Sequence, residues 1–190
     1  MTILDLIKKS AITLNVAEIL NDNTLDDISD NNQEEYFSKN FELKRMFEFA
    51  KIVINEIGSY VPQITETKMR TNNKKIDLIS FDNLLKVISV KNNGADVEYS
   101  QLNGLLVFEE DGNYTIKYER CPVIVGITDW IDTRAGSITD TLLIDGLNAY
   151  YCLAVGLYAE YNVYHAKYTD KLSQLKSTKL FAMPCRSWND

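Results

Sequence analysis

Proline is scarce in this chain, three residues in 190, and glycine adds only eight. So little of both excludes a collagen-like repeat or a Pro-rich linker class. Apolar residues never run unbroken for the roughly 20 positions a helix needs to cross a bilayer, so no membrane-spanning segment is expected. The first residues, Met1-Thr2-Ile3-Leu4-Asp5, place an acid early and lack a continuous apolar run, so no signal peptide is expected either. Cysteine occurs three times, as Cys121, Cys152 and Cys185. The number is odd, and the spacing makes neither a CxxC pair nor a zinc pattern. A reducing compartment is expected, with Cys152 a small core residue in an apolar helix.

An excess of base is missing as well. Acids outnumber bases 27 to 20, for a net charge of −7. Nucleic-acid readers neutralise phosphates with clustered Lys and Arg. Here the bases are dispersed, apart from pairs such as Lys8-Lys9 and Lys74-Lys75. The balance argues against such a reader. An acidic surface serves solubility, and beside DNA it would repel the polyanion and let it slide past.

Catalytic patterns are equally thin. His165 is the only histidine, and it neighbours Tyr161, Tyr164 and Tyr168 on a predicted helix, where a surface or packing role is expected. Ser137, Ser173 and Ser177 have no nucleophile elbow around them. Glu109, Glu110 and Asp111 read as a hairpin tip and not as a buried acid–base pair. Neither GxxxxGK[ST] nor GxGxxG occurs. Asp22, Asp26, Asp27 and Asp30 lack the glycine and the spacing of a calcium loop. No enzymatic activity, metal or cofactor is expected.

What is present is ordinary globular material, 45% hydrophobic and 25% charged, with eleven tyrosines suited to amphipathic surfaces and subunit contacts. The length suits one domain, 1–190, carrying an inserted lobe. Thr2 with Asp5 forms a capping-box pattern, and Ile3, Ile7, Ala11 and Leu14 line one helical face to about Val16. Asn32 with Glu35 is placed to cap a second helix stopping at Gly58. Its apolar stripe of Tyr36, Phe37, Phe41, Phe47, Ala50, Val53, Ile54 and Ile57 reads as core.

Beyond Pro62 the period turns alternating. Strands are expected at 64–66, 76–81, 85–90, 97–99, 105–108 and 114–118, punctuated by Asn92-Asn93-Gly94 and Asp111-Gly112. These form a small antiparallel meander over 61–122. In the following segment Trp130 is expected to pack its loop against the helices, the other reading being an exposed loop for a partner. Ser137 or Thr139 starts a third long helix, with Leu143, Leu147, Tyr150, Tyr151 and Ala154 buried and Gly156 as its stop. A fourth helix, from about Ala159 to Ser177, turns Val163, Ala166, Leu172 and Leu175 inward. The short turn makes the last two helices antiparallel. The expected fold class is therefore α+β: a mainly helical bundle of about four helices, an inserted antiparallel β-lobe and an extended tail over 179–190.

The run Tyr151-Cys152-Leu153-Ala154-Val155-Gly156-Leu157-Tyr158-Ala159-Glu160, the Tyr168-to-Leu172 spacing and the ending Arg186-Ser187-Trp188 resemble the head-to-tail adaptor (connector) proteins of short-tailed phages. The likeness extends to Thr-Ile-Leu-Asp-Leu-Ile at the start, to Phe81-Asp82-Asn83-Leu84-Leu85-Lys86-Val87, and to Ile116–Tyr118. Residues 121–136 have no counterpart, and the Asp/Asn-rich connection is longer than usual. The resemblance implies a non-catalytic virion protein in the neck or tail, assembled in the host cytoplasm. It implies a cyclic ring of about twelve copies, closed by head-to-tail contacts, with the portal protein above and further tail or neck proteins below. Genome DNA would pass through without specific binding. The implied portal-docking residues are Phe181, Met183, Pro184, Arg186 and Trp188, with Trp and Arg in the hot-spot roles they often fill. Two other readings stay open: a neck or tail ring component that does not touch the portal, and a monomeric protein-binding module.

Overall fold

A computed structural model describes residues 1–20, 25–131 and 138–180. The chain divides into two compact units, Met1–Tyr60 with Ile124–Asp190, and Val61–Val123.

The first unit is helical among its described residues. The capping box forms at the start of α1 (Ile3–Leu14): Thr2 Oγ1 accepts from Asp5 N at 3.1 Å, and Asp5 Oδ2 accepts from Thr2 N at 3.0 Å. These bonds hold the Asp5 carboxyl below its usual range. Thr2→Ala removes one half of the box and is expected to lower stability by about 1 kcal/mol in urea titration. Asn15 closes α1 in the left-handed conformation, and a single turn, α2 (Ala17–Leu20), follows. Ile3, Leu6, Ile7 and Ala11 are fully buried.

The expected second helix is two helices, α3 (Gln33–Lys39) and α4 (Phe41–Tyr60). Asn40 makes the break. Its backbone is extended, and its Oδ1 accepts from Leu43 N at 3.0 Å, so it caps α4 instead of continuing α3. Asn32 occupies the N-cap position of α3 as expected, but its side chain makes no capping bond, its Oδ1 being engaged by Ser29 N. The break also turns Phe41 outward beneath the Arg45 guanidinium, 4.7 Å from the ring centroid. The core side of α4 is Leu43, Met46, Phe47, Ala50, Val53, Ile54 and Ile57, and the helix runs through Gly58. α5 (Asp140–Val155) and α6 (Tyr158–Leu180) complete the unit. In the core, Ser10 of α1 donates to Asn148 Oδ1 of α5, both residues being fully buried.

The second unit is built from two antiparallel sheets. One has the order β1-β7-β3-β4, from Gln63–Arg70, Asn113–Arg120, Leu84–Asn92 and Ala95–Asp96. The other has the order β2-β6-β5, from Lys75–Asp77, Leu105–Val107 and Ser100–Leu102. Asn93-Gly94 and Asn103-Gly104 each turn a hairpin with both central residues at positive φ. Asp111-Gly112 does not turn a hairpin. Asp111 Oδ1 accepts from Lys74 N, and Gly112 O accepts from Thr71 N, so this pair fastens the crossing from one sheet to the other. Residues 97–99 connect strands and form none themselves. The unit has its own core, in which Phe108 stacks on Tyr114 at 4.1 Å and Phe81 meets Tyr118 edge-on at 4.9 Å.

The mainly helical four-helix bundle with a meander is therefore corrected. The described residues hold six helices and two antiparallel sheets, a mixed α+β fold with a helical C-terminal part. A cap inside the second helix and the central position of β7 between β1 and β3 account for the difference. The expected start of the tail also moves, since Lys179 and Leu180 belong to α6.

Candidate interaction surface

α5 and α6 form a helical hairpin. Thr139 Oγ1 accepts from Leu142 N to start it, and Gly156, at φ 81°, stops α5 with its N–H on the Cys152 and Leu153 carbonyls. Lys171 of α6 reaches Asp145 of α5 at 2.5 Å. Glu56 of α4 joins the hairpin to the rest of its unit, its Oε2 accepting from Tyr168 at 2.9 Å and from Tyr150 at 3.2 Å. Burial in apolar surroundings, then the hydrogen bond to Glu56, pushes the Tyr168 phenol well above its ordinary range.

The inward stripe of α6 differs from the one expected. Tyr168, Leu172 and Leu175 are buried with Tyr161 and Tyr164 beside them, whereas Val163 and Ala166 face outward. Gly146 is the reason, because the missing side chain leaves room for the Tyr168 ring against α5. Ala154 of α5, expected inward, is exposed as well.

Burial stops abruptly at the hairpin tip. Cys152 is fully buried, and then every residue from 153 to 160 is exposed. That run holds Leu153, Val155, Leu157 and Tyr158, the last 65% exposed, and Val163 extends it. Single exposed apolar residues need no explanation, whereas a run of them along one hairpin tip is a candidate interaction site.

A second exposed feature lies on the loop before α5. Asp129 Oδ2 accepts from Val125 N and Gly126 N, Gln33 Oε1 from Ile127 N, and Asp30 Oδ1 from Thr128 N. Ile127 and Ile131 are the loop's buried apolar side chains. Trp130 lies between them in sequence and points the other way, 75% exposed, while its backbone bridges to Thr2. The expected packing role of Trp130 is thus taken by the two isoleucines.

The sequence-level docking set, Phe181, Met183, Pro184, Arg186 and Trp188, lies outside the described residues, as does Cys185. Ser137 and Asp22 lie outside them too. His165 is exposed, with its ring 5.0 Å from that of Tyr161. Ser173 donates to the Asp170 carbonyl. Glu109, Glu110 and Asp111 are exposed, and hydrogen bonds from Lys74 and Thr71 hold the Asp111 carboxyl below its usual range. Asp30 serves the Thr128 amide. Among the described residues no cluster of three or more His, Cys, Asp or Glu side chains is arranged to hold a metal, and no helix is long and apolar enough to cross a membrane.

Sequence reading missed Glu56, which joins three helices. The signal available was an acid between Val53 and Ile57 on the apolar side of α4, together with tyrosines at helical spacing on α6. Comparison of the chain with protein-family models finds no match, and comparison with curated proteins finds none either.

Proposed function

We propose that this chain is a structural subunit of a phage virion, one stave of a non-catalytic head-to-tail adaptor ring between portal and tail. The reading starts from the sequence resemblance. The observation that carries it further is the bare apolar tip of the α5–α6 hairpin, residues 153–160, on a strongly acidic chain. In a ring built head to tail, such a tip is covered by a different face of the next copy, and closure removes it from water everywhere at once. The residues after Leu180, with Phe181, Met183, Pro184, Arg186 and Trp188, dock on the portal. Repetition around the ring then offsets the entropy of ordering each of them. The acidic surface flanks the DNA passage without gripping it.

Light scattering and negative-stain imaging of the purified chain, alone and mixed with a portal protein, test this. A closed ring is expected in at least the mixture. Leu157→Asp at the tip is expected to weaken assembly at least tenfold, while circular dichroism stays unchanged because Leu157 is exposed in the isolated chain. Truncation after Leu180 is expected to leave a folded protein that does not join the portal. A chain that stays monomeric in every mixture would instead favour a binding module. That second reading has one feature of its own, the eight-residue edge strand β1, paired on one side only among the described residues and open to an added strand.

A further inference from the structure

Beside the Glu56 junction lies a cavity of about 120 Å³, wholly within the helical unit. Its lining is mostly aromatic around one acid: the Glu56 carboxylate and the rings of Tyr150, Tyr161 and Tyr168, with Ala149, Leu153, Thr169 and the exposed His165 beside them. Glu56 receives two phenol hydrogen bonds, both on Oε2. A carboxylate offers roughly four acceptor sites, so about half of its capacity remains. Aromatic faces carry negative quadrupole and attract cations within about 6 Å of the ring centre. Among the described residues, neither lysine nor arginine lines the cavity to satisfy that potential. Lys171 of α6, the helix of Tyr161 and Tyr168, is engaged by Asp145. The volume is well below the roughly 300–1,000 Å³ of sites for drug-sized ligands, so only a headgroup fits.

We propose that this cavity is a binding site for an alkylguanidinium group, stacked against the tyrosine rings with its N–H edge on the Glu56 carboxylate. A planar guanidinium matches both halves of the lining, since it stacks on aromatics and donates in a fork to carboxylate oxygens. The group arrives either as an arginine side chain of a second copy of this chain or as a free guanidine. The site is intrinsic to one subunit and stands independently of the ring reading.

The single histidine makes the test direct, because His165 at the mouth gives one set of imidazole proton resonances for the whole chain. Titration of the full-length protein with ethylguanidinium chloride is expected to shift those resonances saturably. Ethylurea, the neutral shape analogue, is expected to bind at least tenfold more weakly, and sodium chloride at equal ionic strength to give no saturable shift. Glu56→Gln is expected to weaken binding at least tenfold, and Tyr161→Ala about threefold. Equal binding of ethylurea, or undiminished affinity in Glu56→Gln, would overturn the assignment. Should Glu56→Gln fail to fold, Tyr161→Ala decides, and unchanged affinity there overturns it. If ethylguanidinium also lowers the mass of self-associated protein in light scattering, the occupant is an arginine of a second copy. If binding occurs and the mass does not change, the occupant is a free guanidine.

Discussion

Gly146→Ala is expected to destabilise the protein by about 2–3 kcal/mol, against the sign that helix propensity assigns. In an exposed helix the change would stabilise by about 1 kcal/mol. Here a Cβ on Gly146 would sit 2.7 Å from Tyr168 Cε2 and 2.9 Å from Val53 Cγ1. Both neighbours are buried and belong to other helices, Tyr168 to α6 and Val53 to α4. The Tyr168 ring cannot recede freely, because its hydroxyl is held by Glu56. Overpacking of this kind costs about 1–3 kcal/mol, and a lost hydrogen bond to a charged group about 1.5–3 kcal/mol. Their sum outweighs the propensity gain. Urea unfolding followed by circular dichroism measures it, and a thermal melt should show a fall in Tm of roughly 5–10 °C. Tyr168→Leu in the Gly146→Ala background should recover part of the loss, because the two positions share one contact. A neutral or stabilising Gly146→Ala would mean that α5 and α6 lie farther apart than described.

Alkaline pH is expected to unfold the helical unit cooperatively between about pH 11 and 12. Tyr168 and Tyr151 are 2% and 7% exposed. Burial raises both phenols far above their ordinary range, and hydrogen bonds to Glu56 and Glu42 respectively raise them further. In the unfolded chain they lose their protons near pH 10. Above that value the unfolded state binds fewer protons than the folded one, so stability falls as pH rises. The contribution is complete below pH 10 and is lost toward the folded values. Each group costs about 1.4 kcal/mol per pH unit, so the pair costs roughly 5 kcal/mol by pH 12, comparable with the whole stability of many domains. Helix content and tyrosinate absorbance, read together, should change in one step for these residues. Tyr168→Phe should reduce the pH slope by one proton. Smooth ionisation of all eleven tyrosines near pH 10, with helices intact, would refute the prediction.

The two results depend on the same small region, and no single segment of the chain announces it. Glu56, Gly146, Tyr150 and Tyr168 come from three helices separated by up to 112 positions. In sequence, Gly146 draws no reading of its own and Tyr168 reads as a neighbour of His165 on a helix. Packed together they become one device, a glycine notch filled by a ring whose hydroxyl is tied to a buried-side acid.

Features that depend on a few neighbouring residues were readable along the chain. The Thr2–Asp5 box, the Thr139 start, the Gly156 stop and the Asn93-Gly94 turn each rest on local φ/ψ preference or one short hydrogen bond. Asn103-Gly104 carries the same local signal and was missed, while Asp111-Gly112 was read as a hairpin turn and is not one. Asn40 was not legible, since an asparagine inside an apolar stripe looks helical until its side chain is seen to accept from Leu43 N.

What needed the packed molecule was every choice among alternatives that local energies leave nearly equal. Strand order is one, because short strands with similar alternation can pair in several ways, and burying one shared core places β7 in the middle. The inward face of α6 is another, decided by the room at Gly146. The direction of Trp130 is a third, decided by Ile127 and Ile131 competing successfully for the interior. Caps and turns close over three or four residues, whereas these outcomes are set by volume and hydrogen bonding among residues far apart in the chain.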